Sequence, residues 1–223
     1  MRSIRDSKDR SEGRSKWSGG LDVGKTLHVT VAFKPRNEVL QVCYLARVSY
    51  FSDVQDICRR FNCQSLVADL EPEMRKVKEF AQAESFSVFL ADYADRTTSA
   101  CQWDEKTNLV RVKRTWLLDC SHNLFIQPGA LILLRRSEEL DLLTQQCRRT
   151  AKILTEDLET GDRTFSYRKL GPNHYKHSIS YCLLASQRIG QAASAPGRKL
   201  VLDHAQIDFD PFHHTAQREN LWR

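Results

Sequence analysis

The chain has 223 residues, with 34 Lys and Arg against 28 Asp and Glu and a formal net charge of +6. A hydrophobic content of 41% with 28% charged residues excludes a disordered chain. No apolar run approaches the roughly 18–20 residues of a membrane span, and the basic N-terminus leads into no signal-type apolar segment. Seven scattered cysteines without a CxxC pair exclude a disulfide framework and a zinc knuckle, and suit a reducing compartment. The basic balance favours a polyanionic partner.

Residues 1–17 are charged, Ser/Arg-rich and nearly free of aliphatic side chains, which reads as a flexible leader or linker. From Leu21 the pattern becomes that of a sheet. LHVTVAF alternates, with Leu27, Val29, Val31 and Phe33 on one face, and a turn at 35–38 leads into a second long strand over 39–50. SDVQDICRRF predicts a helix capped by Ser52 or Asp53, with Val54, Ile57, Cys58 and Phe61 inward. SLVADL is a short apolar strand that ends in an acid. The helix after it opens with Pro72 and acidic Glu71 and Glu73, and carries a stripe of Met74, Val77, Phe80 and Ala81. SVFLADY at 87–93 is a further short apolar strand.

The second half is less regular. A polar hairpin is expected within 97–113, a helix over 115–126, a short strand at LILLRR, and a helix over SEELDLLTQQCRRTAKIL. A hairpin turning at 160–162 follows, then an amphipathic helix over 174–190 and a loosely ordered tail over 191–223. Strands first and then alternating helices and strands predict an α/β sandwich on a mixed sheet.

Two acids stand out. Asp22 lies in the first strand, between Gly19-Gly20 and Gly24, and Asp69 ends the strand after the first helix. If those strands are parallel neighbours, the carboxylates meet at one sheet edge, which is unfavourable unless a cation lies between them. Hard oxygen ligands of this kind suit Mg²⁺ or Mn²⁺, and a pair of such ions can drive in-line phosphodiester displacement.

LDVGKTLHVTVAF, SLVADLEPEMRKVKEFAQ, VKRTWLLDCSHN and NHYKHSISYCLLA together resemble the C-terminal nuclease domain of tailed-bacteriophage large terminases, itself similar to RNase H and RuvC-type resolvases. The likeness runs from about Ser18 to Gly190. It implies an RNase H-like mixed sheet of about five core strands flanked by helices, with an added β-hairpin region. It also implies cleavage of concatemeric double-stranded DNA with Mg²⁺ or Mn²⁺ in a viral, intracellular setting (the host cytoplasm). A terminase small subunit and a portal protein are the partners implied, together with an N-terminal ATPase motor. No GxxxxGK[ST] loop occurs here, so that motor is expected to lie outside this chain, with residues 1–17 as the connection.

Residue by residue, Asp22 and Asp69 match the first two acids of that family. The third acid belongs on or just before the last core helix, and here the sequence departs, because 174–190 holds no Asp or Glu. His177 is the expected third metal-site residue and His174 its helper; Asp92 and Asp95 are the acidic substitutes. Lys25, Arg75, Lys76, Lys78, Arg111, Lys113 and Arg114 are candidate phosphate contacts. His213-His214, near Asp208 and Asp210, is a weaker candidate for metal binding. Two other functions fit parts of the chain. Asp22-Val-Gly-Lys-Thr26 also suits the phosphate hairpin of actin-like kinases, although no second glycine-rich segment is present. A non-catalytic DNA-binding or docking domain would keep the fold without its third ligand.

Overall fold

The computed structural model describes residues 17–34, 39–94, 97–156, 161 and 163–189. The leader up to residue 16, the tail over 191–223 with its histidine pair, the turn at 35–38 and Asp95 lie outside the described residues. Trp17, expected in the leader, instead opens the first strand and packs its ring on Phe33 and Phe61.

Strands β1 (Trp17–Asp22), β2 (Leu27–Phe33) and β3 (Leu40–Val48) form an antiparallel meander. Helix α1 (Phe51–Arg60), strand β4 (Ser65–Asp69), helix α2 (Met74–Ala83) and strand β5 (Ser87–Tyr93) then bring two parallel strands to the other side of β1. The core order is β3-β2-β1-β4-β5. The sheet is wider than the five strands expected. Strands β6 (Cys101–Asp104) and β7 (Leu109–Val112) extend it beyond β5, and β8 (Leu131–Ile132) pairs with β3, giving eight strands.

Period-two alternation decides the two faces. Leu21, Val29, Val31, Leu66 and Ala68 point to one side, where Val54 and Cys58 of α1 and Val77 and Phe80 of α2 close a core. Met74, expected in that stripe, is instead exposed at the helix start. The helix α1 begins one residue before its expected caps, and Asp53 accepts the Tyr50 backbone N–H from inside its first turn.

The opposite face carries α3 (Arg114–Ile126), α4 (Glu138–Cys147) and α5 (His174–Arg188). The residues after Cys147 do not continue α4. Thr150–Glu156 is strand β9, paired with β10 (Arg163–Lys169) in a separate two-stranded ribbon beside α3. That ribbon is the added hairpin region.

Helix α5 is not amphipathic: every residue from Tyr175 to Ser186 is buried. Its polar side chains find partners inside, Ser178 Oγ donating to the Gly20 carbonyl and accepting from Thr30 Oγ1, and Ser180 Oγ pairing with Ser121 Oγ. The helix backbone lies directly on β1. A Cβ at Gly20 would stand 2.0 Å from the Ser178 carbonyl oxygen and 2.2 Å from the Cys182 nitrogen, so only glycine allows this approach.

Candidate metal centre

Leu21 of β1 registers with Ala68 of β4 in parallel pairing. Asp22 and Asp69 are therefore the next residues on two adjacent strands. Because Leu21 and Ala68 face α1 and α2, the two carboxylates face α5. Asp22 is buried and Asp69 partly so; Asp69 Oδ1 accepts the Glu71 backbone N–H at 3.3 Å. Burial, and then the charge of Asp22, push the Asp69 carboxyl up to about 7.

The start of α5 meets this edge. His174 Nδ1 lies 2.9 Å from Asp22 Oδ2, and its ring stacks on that of His28 at a centroid distance of 4.8 Å and an interplanar angle of 18°. His28 is the cross-strand partner of Asp22 in the β1–β2 hairpin. Its Nδ1 is 3.2 Å from the Thr26 carbonyl oxygen. A carbonyl can only accept, so Nδ1 carries the proton and Nε2 keeps a free lone pair. Burial, reinforced by the neighbouring His174, lowers the His28 pKa, although Asp22 pulls the other way. Tyr175 presents its ring edge to His28 at 4.9 Å and donates its hydroxyl to Glu139, which Arg47 binds at 2.9–3.1 Å.

One donor atom from each of Asp22, His28 and His174 lies within 4.8 Å of the other two. His28 and His174 also line a cleft of about 560 Å³ with Lys25, Thr26, Arg47, Glu139, Leu142 and Gln146. One carboxylate and two imidazoles are a donor set for a divalent ion, and the bond from His28 Nδ1–H to the Thr26 carbonyl holds that ring in place and leaves Nε2 as its ligating atom. The residues present fit such an ion.

His177 lies one turn further along α5, and both its ring nitrogens are engaged. Nε2 accepts from the Asn173 amide at 3.1 Å, and Nδ1 is 2.8 Å from the Tyr93 hydroxyl. Burial drives its pKa down to about 4, so the ring is neutral at ordinary pH. The Tyr181 hydroxyl, buried nearby, makes no well-formed hydrogen bond among the described residues, yet lies close enough to Tyr93 and Asp69 for hydrogen bonding that pulls both pKa values down.

No family model and no curated protein matches the sequence. Solved structures do. A mutant nuclease domain of the large terminase subunit of bacterial virus Sf6, with manganese and beta-thujaplicinol, aligns over 81% of this chain and 89% of its own at 7% identity and a TM-score of 0.50. Fowlpox virus resolvase with Holliday junction DNA aligns over 77% of this chain and 97% of its own, at 10% identity and a TM-score of 0.39. T. thermophilus RuvC with a Holliday junction substrate aligns over 78% and 96%, at 10% identity and the same TM-score of 0.39. The fold is RNase H-like.

Within this RNase H-like sheet the expected site residues separate into three groups. Asp22, Asp69 and His174 gather at one edge, while the Tyr93 and Asn173 contacts hold His177 in a neighbouring network. Of the two expected histidines, His174 contacts Asp22, whereas His177 has both ring nitrogens engaged by Asn173 and Tyr93. Asp92 registers with Arg111 and faces the other side of the sheet from Tyr93, its carboxylate 4.0 Å from that guanidinium. Among the basic candidates, Lys25 lines the cleft beside His28. Arg114 opens α3, bonds the Tyr167 carbonyl and lies near enough to His177 to depress its pKa. Lys113 immediately precedes α3. Arg75 and Lys76 pair with Glu79 and Glu73 on their own helix, and Lys78 lies on the same helix, exposed. Lys169, at the end of β10, acts on His177 as Arg114 does and was not among the expected residues.

His28 is the functional candidate that the sequence reading missed. The signal was present: the strand with Leu27, Val29 and Val31 on one face leaves His28 on the face of Asp22, directly across the hairpin.

Proposed function

We propose that this chain is a divalent-metal-dependent endonuclease domain that cuts double-stranded DNA with low sequence specificity, as in the large subunit of a viral packaging terminase. The observation that carries this reading is the placement of Asp22 and Asp69 on adjacent strand ends facing His174 across one sheet edge. The structurally similar Sf6 domain, solved with manganese, supports the choice of metal class.

Asp22, Asp69 and one nitrogen of His174 would hold Mg²⁺ or Mn²⁺, most simply as two ions, and bound metal would supply an activated water and charge neutralisation at the scissile phosphate. The remaining work belongs to the protein. The N-terminal end of α5 meets this edge through His174, and the positive end of its helix dipole would favour the carboxylates and an incoming phosphate. Lys25 on one flank and Arg114 on the other contact the duplex backbone, which positions it without reading sequence. Without metal, burial and the charge of Asp22 hold the Asp69 carboxyl up at about 7, and a cation at this edge would favour its ionised, ligating form. In the complete machine the partners would be an ATPase motor, a small subunit and a portal, acting in the host cytoplasm. No described helix is long and apolar enough to cross a membrane.

Plasmid nicking tests the reading. Purified protein with supercoiled plasmid and Mn²⁺ should yield open-circular and linear forms, and Asp22→Ala and Asp69→Ala should each leave the plasmid intact. DNA binding without cutting under every divalent ion tried would reduce the chain to a DNA-binding module. Variants that cut like wild type would remove these acids from the site.

A further inference from the structure

We infer that Asp22, His28 and His174 form a nitrogen-rich cation site that prefers Mn²⁺ and Zn²⁺ to Mg²⁺, with His28 supplying the second imidazole. The inference rests on the nuclease reading above for its use, and on the cluster itself for its chemistry. Three observations carry it. The three donors converge within 4.8 Å of one another, two of them buried and one at the wall of an open cleft. The free lone pair of His28 is on Nε2, because Nδ1–H is committed to the Thr26 carbonyl. The ring is also fixed from two other sides, stacked on His174 and met edge-on by Tyr175, whose hydroxyl is itself tied to Glu139.

Ligand atoms about 2.1 Å from a shared ion stand roughly 3.0–3.4 Å apart. The 2.9 Å between Asp22 Oδ2 and His174 Nδ1 is just short of this spacing, so these two donors need little rearrangement. Bringing in His28 takes a side-chain movement on the order of 1 Å.

The donor types set the selectivity. Magnesium demands oxygen ligands and gives up water reluctantly, whereas imidazole suits the first-row transition ions. Two imidazoles and one carboxylate therefore rank Zn²⁺ above Mn²⁺ and Mn²⁺ above Mg²⁺. A purely carboxylate site formed by Asp22 and Asp69 would bring Mg²⁺ and Mn²⁺ close together.

Titration calorimetry of the metal-free protein with Mg²⁺, Mn²⁺ and Zn²⁺ tests this. Wild type should bind Mn²⁺ at least about tenfold more tightly than Mg²⁺. His28→Gln, checked for folding by circular dichroism, should lose about tenfold or more in Mn²⁺ affinity with little change for Mg²⁺. Pulsed electron paramagnetic resonance on the Mn²⁺-loaded wild type should detect two imidazole nitrogens, which keeps the test decisive if the variant misfolds. Equal Mg²⁺ and Mn²⁺ affinities, an unchanged His28→Gln profile, or a single coupled nitrogen each overturn the inference. Plasmid nicking run alongside separates the two ideas. Nicking with an unchanged His28→Gln profile sinks the metal inference alone; His28-dependent binding without nicking sinks the nuclease alone.

Discussion

Replacing Asp69 by Asn should change the pH dependence of stability in a direction fixed by its surroundings. Its folded pKa stands near 7 against an ordinary 3.8, through burial first and the charge of Asp22 second. Between about pH 5 and pH 7 the folded chain therefore keeps a proton that the unfolded chain has released. Stability contributed by this group falls as pH rises through that window. Two pH units set a ceiling of about 2.7 kcal/mol, and partial solvent access at Asp69 brings this to about 1–2 kcal/mol. Asn cannot ionise and escapes the loss. In EDTA, the stability of Asp69→Asn relative to wild type should thus improve by about 1–2 kcal/mol between about pH 5 and pH 8. Urea unfolding followed by tryptophan fluorescence measures it. Only the difference between the two proteins is informative, because His177, held near 4 by burial, tilts both profiles the other way by resisting protonation in the fold. A gap that stays constant across the two pH values would refute the argument that Asp69 is forced to share its edge with a second carboxylate.

Three further outcomes follow from particular contacts. Gly20→Ala should destabilise by about 3 kcal/mol or more in thermal unfolding, because its Cβ meets backbone atoms of α5 that cannot turn aside. Lys176→Met should raise the unfolding free energy from urea titration by about 1 kcal/mol at neutral pH, since Lys176 is 2% exposed, its pKa is lowered by burial, and Met keeps the stem packed near Phe125. His177→Ala should cost about 1–2 kcal/mol through the orphaned Tyr93 and Asn173 groups while leaving Mn²⁺ affinity in calorimetry unchanged. A tenfold loss of Mn²⁺ binding in that variant would return His177 to the metal site.

The parts of this molecule that were legible in the sequence are those set by local periodicity. Leu27, Val29 and Val31 announce a strand with one face against helices, and Leu66 and Ala68 do the same for β4. Asp22 and Asp69 are visible because an acid at a strand end breaks an apolar pattern. The interior of α5 was not legible. An amphipathic helix is expected over 174–190, yet Ser178, Ser180 and Lys176 are all buried, the serines because their partners on β1, β2 and α3 are far away in the sequence. The same distance hides the choice between His174 and His177, which one turn of helix separates. Only the position of Asp22 on one side, and of Tyr93 on the other, assigns the two rings their different tasks. Residues Arg148 to Leu154 continue a helical pattern by composition, but Leu170 N–H bonds back to the Arg149 carbonyl and the chain there pairs as a ribbon instead.

The close seating of α5 on β1 has a consequence for the order in which the molecule comes into being. Three of the four candidate ligands, Asp22, His28 and Asp69, are synthesised within the first third of the chain, and the fourth more than 100 residues later. A ribosome-bound fragment can complete the β1–β2 hairpin and the β1–β4 pair well before α5 emerges. Until then Gly20 leaves a bare strip along β1, and the two acids have no imidazole from α5 opposite them. Closing so long a loop is among the slow events of folding. The donor cluster at this edge is therefore complete only once the chain has been made through α5 and that helix has seated on β1.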